Sequence, residues 1–188
     1  MLQWIKKRKI LCSVVFLLLM LSVVIKGAKM IFPDKHLEYV KSLENDVDPL
    51  FVLSIIKVES NFKEDAYSNK GAKGLMQIMD STASWVSEKT NQQMPRSLYD
   101  ANENIKIGVW YLNWLKNKYE DNDLVLAAYN AGTGNVNKWL QDNSISVDGK
   151  TLKYIPFEET SNYLVKVNFT YKMYKAIYSD FAWITQFF

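Results

Sequence analysis

Glu59 closes the stretch PLFVLSIIKVESNF, residues 49–62, where an almost unbroken apolar run delivers a carboxylate followed by Ser60 and Asn61. A glutamate at the end of a buried helix pairs with a base, is hydrogen-bonded, or has its pKa raised until it keeps its proton. The third outcome gives a general acid near neutral pH, as cleavage of a glycosidic bond requires. The bland reading is a solvated glutamate or one bridged to Lys57 or Lys63, and position alone does not separate the two.

Two other segments carry groups that could meet Glu59. GAKGLMQIM, residues 71–79, puts two glycines and Gln77 in a loop. AAYNAGTGNV, residues 127–136, puts Tyr129 and Asn130 at a helix end, with Gly132 and Gly134 behind them. Separately they read as a tight turn and a helix cap. Both lie beside helix ends, so they can converge with Glu59 on one cleft.

Other chemistries lack their residues. The single histidine, His36, sits in a charged stretch with no nucleophile motif nearby. The single cysteine, Cys12, rules out an internal disulfide framework and a thiolate metal cluster. No metal and no cofactor is implied, and Gly132-Thr133-Gly134 is too short for a phosphate-binding loop. Six of the 23 Lys and Arg fall in residues 1–30, which hold no acid. The other 17 face 20 acids, so residues 31–188 carry a net −3, which argues against nucleic acid as a partner.

Four ordered blocks, VESNF, GAKGLMQIMDSTA, AAYNAGTGNV and IPFEETSNYLVKV, resemble the soluble lytic transglycosylases that cleave bacterial cell-wall peptidoglycan, and more distantly the goose-type lysozymes. The likeness runs from about Val47 to Tyr174. It implies a mainly α, lysozyme-like (α+β) catalytic domain acting as a monomer on peptidoglycan glycan strands. Glu59 would be the sole acid/base, with 1,6-anhydro ends as the product. Ser68 would contact the sugar acetamido region, while Met76 and Gln77 line the groove. Tyr129 would hydrogen-bond the catalytic carboxyl, Asn130 face the cleft and Tyr163 close one wall. Asp80, Thr133 and Ser161 depart from the family's usual Pro, Pro and Arg. Two alternatives stay open: a hydrolytic muramidase using Glu64 or Asp65 as second carboxylate, and a wall-binding module without turnover.

The elements that must hold these groups read as successive helices. Asp48-Pro49 starts one that runs to Ser60, apolar on all sides and therefore central. Helices are expected over 36–43, from Asp80 (capped by Asp80, Ser81 or Thr82) to about Lys89, over 102–119, over 124–129, from Val136, and over 159–179. Residues 61–74 read as loop. NSISVDGKTLKYIPF alone has strand character, with a possible hairpin at Asp148-Gly149.

Ahead of this body, residues 1–30 form a domain of their own: a basic cluster, then an apolar run over residues 10–25. We expect an uncleaved membrane anchor with the body, residues 31–188, outside the cytoplasm. A cleaved signal peptide is the rival, although Lys26 and Lys29 crowd the Gly27-Ala28 pair.

Overall fold

A computed structural model describes residues 2–44 and 46–180. It divides into two compact units, one made of residues 1–34 and 173–188, the other of residues 35–172.

The first unit contains α1 (Leu2–Ile31), whose segment Lys7–Ile31 is long and apolar enough to cross a membrane. In the same unit, the Tyr174 hydroxyl donates to the Pro33 carbonyl at 2.9 Å and the Tyr178 hydroxyl to the Phe32 carbonyl at 2.6 Å. The Phe32 and Tyr174 rings meet edge-on at 5.6 Å. Tyr178 lies in a single π-helical turn, Ala176–Asp180.

The second unit is helical, with no named strand among its described residues. Its helices are α2 (Leu37–Ser42), α3 (Pro49–Ser60), α4 (Asp80–Thr90), α5 (Ala101–Lys118), α6 (Asn122–Ala131), α7 (Thr133–Gln141) and most of α8 (Glu158–Lys175). Packing links α2 to α3 and α5, α5 to α4 and α6, and α6 to α7. The core is supplied by Val52, Leu53, Ile55 and Ile56 of α3, Ile105, Leu112 and Leu115 of α5, and Leu126 and Ala127 of α6, all fully buried. Each large aliphatic among them contributes roughly 1.5–3 kcal/mol of transfer free energy.

As its composition requires, most of α3 is buried. Its buried Ser54 and Ser60 cost little because each hydroxyl donates back to its own helix, to Phe51 and Ile56 carbonyls. Asp48 caps the start: one carboxylate oxygen accepts from Leu50 N at 2.8 Å, the other from the Tyr171 hydroxyl at 2.6 Å. The end is abrupt. Asn61 and Phe62 both take left-handed backbone, φ 51° and 62°, turning the chain away immediately after Glu59.

Two sequence expectations give way. The N-cap of α4 is Met79, without a side-chain bond; Asp80 is instead the first helical residue and pairs with Lys73 at 2.7 Å. The 143–157 stretch forms no hairpin. The Asp148 carboxylate gathers the Lys150 and Thr151 backbone N–H groups, an Asx-type turn that competes with strand pairing.

Candidate active site

Three helices bring Glu59 together with two tyrosines. Glu59 sits in the last turn of α3, Tyr129 near the end of α6 and Tyr163 in the second turn of α8. Glu59 is hemmed in by protein yet keeps partial solvent access. Burial pushes its carboxyl up to about 7; the Tyr163 hydroxyl pulls it down, and the Glu159 carboxylate adds to the rise. The coupling is mutual. Burial first, then the Glu59 charge, raises both phenols well above the ordinary tyrosine range. The Tyr163 hydroxyl faces Glu59 without a hydrogen bond of ordinary geometry, so its buried oxygen has no partner among the described residues.

Tyr129 has a different partner from the one expected. Its single hydroxyl proton goes to the Met76 carbonyl at 2.8 Å. Its oxygen can still accept a proton from Glu59, but it cannot also donate one. Met76 corrects a second expectation: its side chain is fully buried and adds nothing to a groove wall. It lies over Gly108 of α5, where an added Cβ would come 2.4 Å from the Met76 sulfur.

The other anticipated residues brace the surroundings. Gln77, at φ 50°, donates its amide N–H groups to the Ala66 and Gly74 carbonyls at 3.2 and 2.9 Å, which leaves Oε1 without a partner among the described residues. Ser68 Oγ accepts from Ala72 N at 2.9 Å, so the hydroxyl proton stays available. Asn130 Oδ1 accepts from the Thr160 hydroxyl at 2.7 Å and ties α6 to α8. Neither Ser68 nor Gln77 is hydrogen-bonded to Glu59.

One positioning residue escaped the sequence reading. Asn104, fully buried in α5, accepts from Met76 N at 2.8 Å and donates to the Lys73 and Leu98 carbonyls at 2.9 and 2.8 Å. Two of these bonds fix the loop that carries Met76 and Gln77, and the third ties it to Leu98. Gly74 permits the approach: at φ +73°, a Cβ there would stand 2.3 Å from the Leu98 carbonyl oxygen. Its signal was an asparagine set among apolar positions of an amphipathic helix.

The proposed second carboxylates lie elsewhere. Glu64 is bound to Lys35 at 2.7 Å, which holds its carboxyl below the usual range, and Asp65 is exposed. The carboxylate that Glu59 senses is Glu159 in the first turn of α8, paired at 2.8 Å with Lys70 from the opposing loop. His36 sits at the start of α2 with its buried Nε2 3.9 Å from the Glu64 carboxylate and without a hydrogen-bond partner among the described residues.

The fold is shared with known proteins. The structure is similar to the 70 kDa soluble lytic transglycosylase SLT70 of Escherichia coli, with a TM-score of 0.70, 28% identity, and coverage of 81% of this chain and 26% of that one. It is also similar to the lytic transglycosylase Slt of Pseudomonas aeruginosa, solved as an inactive mutant with a glutamate replaced by glutamine (TM-score 0.65, 31% identity, 77% and 24% coverage). The membrane-bound lytic murein transglycosylase C of Edwardsiella ictaluri is 33% identical over 169 residues, 76% of this chain and 47% of that one. The chain spans about a quarter of the length of the soluble relatives it matches. The family model described as the transglycosylase SLT domain matches residues 38–150, a span that holds Glu59, the clamped loop and Tyr129, and the chain belongs to that family.

Proposed function

We propose that the chain is a peptidoglycan lytic transglycosylase held at the membrane by residues 10–25, with residues 31–188 outside the cytoplasm. The observation that carries this reading is Glu59, a carboxyl pushed up to about 7 beside buried Tyr163 and half-buried Tyr129 in an SLT domain. The glutamate-to-glutamine change that accompanies inactivity in the Pseudomonas aeruginosa relative supports it. The membrane-bound name of the Edwardsiella ictaluri relative and the apolar α1 support the location.

In this mechanism neutral Glu59 protonates the oxygen linking N-acetylmuramic acid to N-acetylglucosamine. The acetamido carbonyl of the muramyl residue stabilises the charge left at the anomeric carbon. Glu59, now a carboxylate, takes the proton of the muramyl 6-hydroxyl, and that oxygen closes a 1,6-anhydro ring. No water is consumed, and one carboxyl serves as acid and then base. Ser68, Gln77, Asn130 and Tyr163 are the substrate contacts we assign, with Tyr129 and the buried Met76 holding the loop beside them.

The test is digestion of peptidoglycan by the full chain in detergent, beside Glu59→Gln, with muropeptides read by mass spectrometry. Products one water lighter than hydrolytic ones and resistant to borohydride are expected, with at least a hundredfold loss in the variant. Reducing ends would make it a muramidase and direct attention to Glu159. Murein binding without products would leave a wall-binding module.

A further inference from the structure

The outward face of α8 pairs apolar bulk with positive charge. Leu164, Val167 and Tyr174 of this helix are buried. Val165 and Phe169, four residues apart and therefore neighbours on one face, are 67% and 61% exposed. Lys166 and Lys172 each stand three residues from Phe169 and are exposed as well. Neither lysine has an ion pair among the described residues. On the flank toward α6, Asn168 donates to the Asp123 carboxylate at 2.7 Å and closes that side. A lone exposed apolar side chain is ordinary on a protein surface. A valine and a phenylalanine set between two lysines have the composition of a helix that lies on a bilayer. There the apolar groups enter the acyl boundary while the lysines reach the headgroups.

Charge is partitioned along the chain in the same sense. Residues 31–159 hold 14 bases against 19 acids, whereas residues 160–179 hold three lysines and no acid. A cationic segment on an anionic body is drawn to a negative surface that repels the remainder. A soluble polyanion would engage the lysines and leave Val165 and Phe169 in water; a lipid surface uses both.

Chain connection keeps this face close to the end of α1. Phe169 is nine residues from Tyr178, whose hydroxyl donates to the carbonyl of Phe32, the residue just beyond α1. Nine residues reach about 30 Å when fully extended and about 14 Å as a helix. With α1 in a bilayer, the face is confined to the neighbourhood of the outer surface, and this tether populates even a weak lipid contact. We propose that the Val165–Phe169 face of α8, with Lys166 and Lys172, is a second membrane contact that docks on anionic phospholipid of the outer leaflet. It turns a one-point tether into a two-point attachment. The inference rests on the membrane location of residues 10–25 proposed above.

The experiment places the full chain in vesicles of equal parts phosphatidylglycerol and phosphatidylcholine. Cys12→Ser and Val165→Cys allow one apolar, environment-sensitive nitrobenzoxadiazole label at position 165. The same label at Glu88→Cys, exposed on α4, is the reference. Lipid carrying a doxyl quencher near its headgroup should at least halve the emission at 165 and leave that at 88 within a tenth of its starting value. Phe169→Ser should bring the quenching at 165 down to the reference level. Lys166→Glu combined with Lys172→Glu should do the same, as should vesicles of phosphatidylcholine alone. If a variant fails to fold, the lipid comparison on the labelled parent still decides. Equal quenching at 165 and 88 overturns the inference. So does an emission change at 165 that salt abolishes and doxyl lipid leaves untouched, which would assign the face to a soluble polyanion. Carbonate extraction of the same vesicles reads α1 by itself, so the anchor and the α8 contact can fail separately.

Discussion

Glu59 links stability to pH with a definite sign. Its carboxyl is raised from an ordinary value of roughly 4.3 to about 7, so the folded state binds the proton more tightly than the unfolded one. The stabilisation from that proton is complete below about pH 4, shrinks as pH rises and is gone above about pH 7. Ionising Glu59 in place then costs on the order of 3–4 kcal/mol. Glu59→Gln, neutral at every pH, should therefore melt above wild type at pH 8 and converge with it near pH 4, as checked by thermal melts across that range. The catalytic acid form is lost as pH rises through about 7, so kcat/KM should fall above pH 7. Tyr163→Phe provides a second test. It removes a hydroxyl that lowers the Glu59 pKa yet has no hydrogen bond of ordinary geometry among the described residues. The alkaline limb of the pH–rate profile should move upward while stability changes by less than about 1 kcal/mol, because no satisfied bond is lost. An unmoved limb would mean that Tyr163 does not tune Glu59.

At the scale of elements, the 61–79 loop is held by α5 as well as by its own turns. Asn104→Ala would orphan Met76 N–H and two carbonyls, and should cost about 3 kcal/mol in urea unfolding. Gly108→Ala would push a Cβ into the Met76 side chain, costing roughly 1–3 kcal/mol and displacing the carbonyl that anchors Tyr129. Both variants should lose activity in excess of what their residual folded fraction explains, measured at a temperature where each is folded. The contrast between these residues and Glu59 shows what the sequence could reveal. The limits of α3 were legible because Asp48-Pro49 is a local start signal and the apolar run leaves no other place for the helix. That Glu59 and Tyr129 lie near one another was legible through their motifs. Asn104 and Gly108 were not, since their partners lie 28 and 32 residues away and only the packing of α5 on the loop assigns them a task. Met76 was misread for the same reason: its motif position suggests a groove, and the small neighbour that buries it lies on another helix. Asp148 shows a local cue overridden, because a carboxylate that collects nearby N–H groups satisfies the backbone that a hairpin would have paired.

At the scale of the whole molecule, α1 brings an apolar segment that is long enough to span a bilayer. The full chain should sediment with membranes and resist extraction by high salt and carbonate, and a chain beginning at Met30 should not. Release of the full chain by carbonate would indicate a cleaved leader or a peripheral attachment. The point of shortening is not arbitrary. Tyr174 and Tyr178 hand their hydroxyl protons to Pro33 and Phe32, more than 140 positions earlier. A cut at Met30 keeps both acceptors, whereas a cut at Lys35 deletes them along with the Phe32 ring that Tyr174 leans on. The tail of the polypeptide thus depends on its beginning, and a designer who trims the leader as dispensable would fray the opposite terminus.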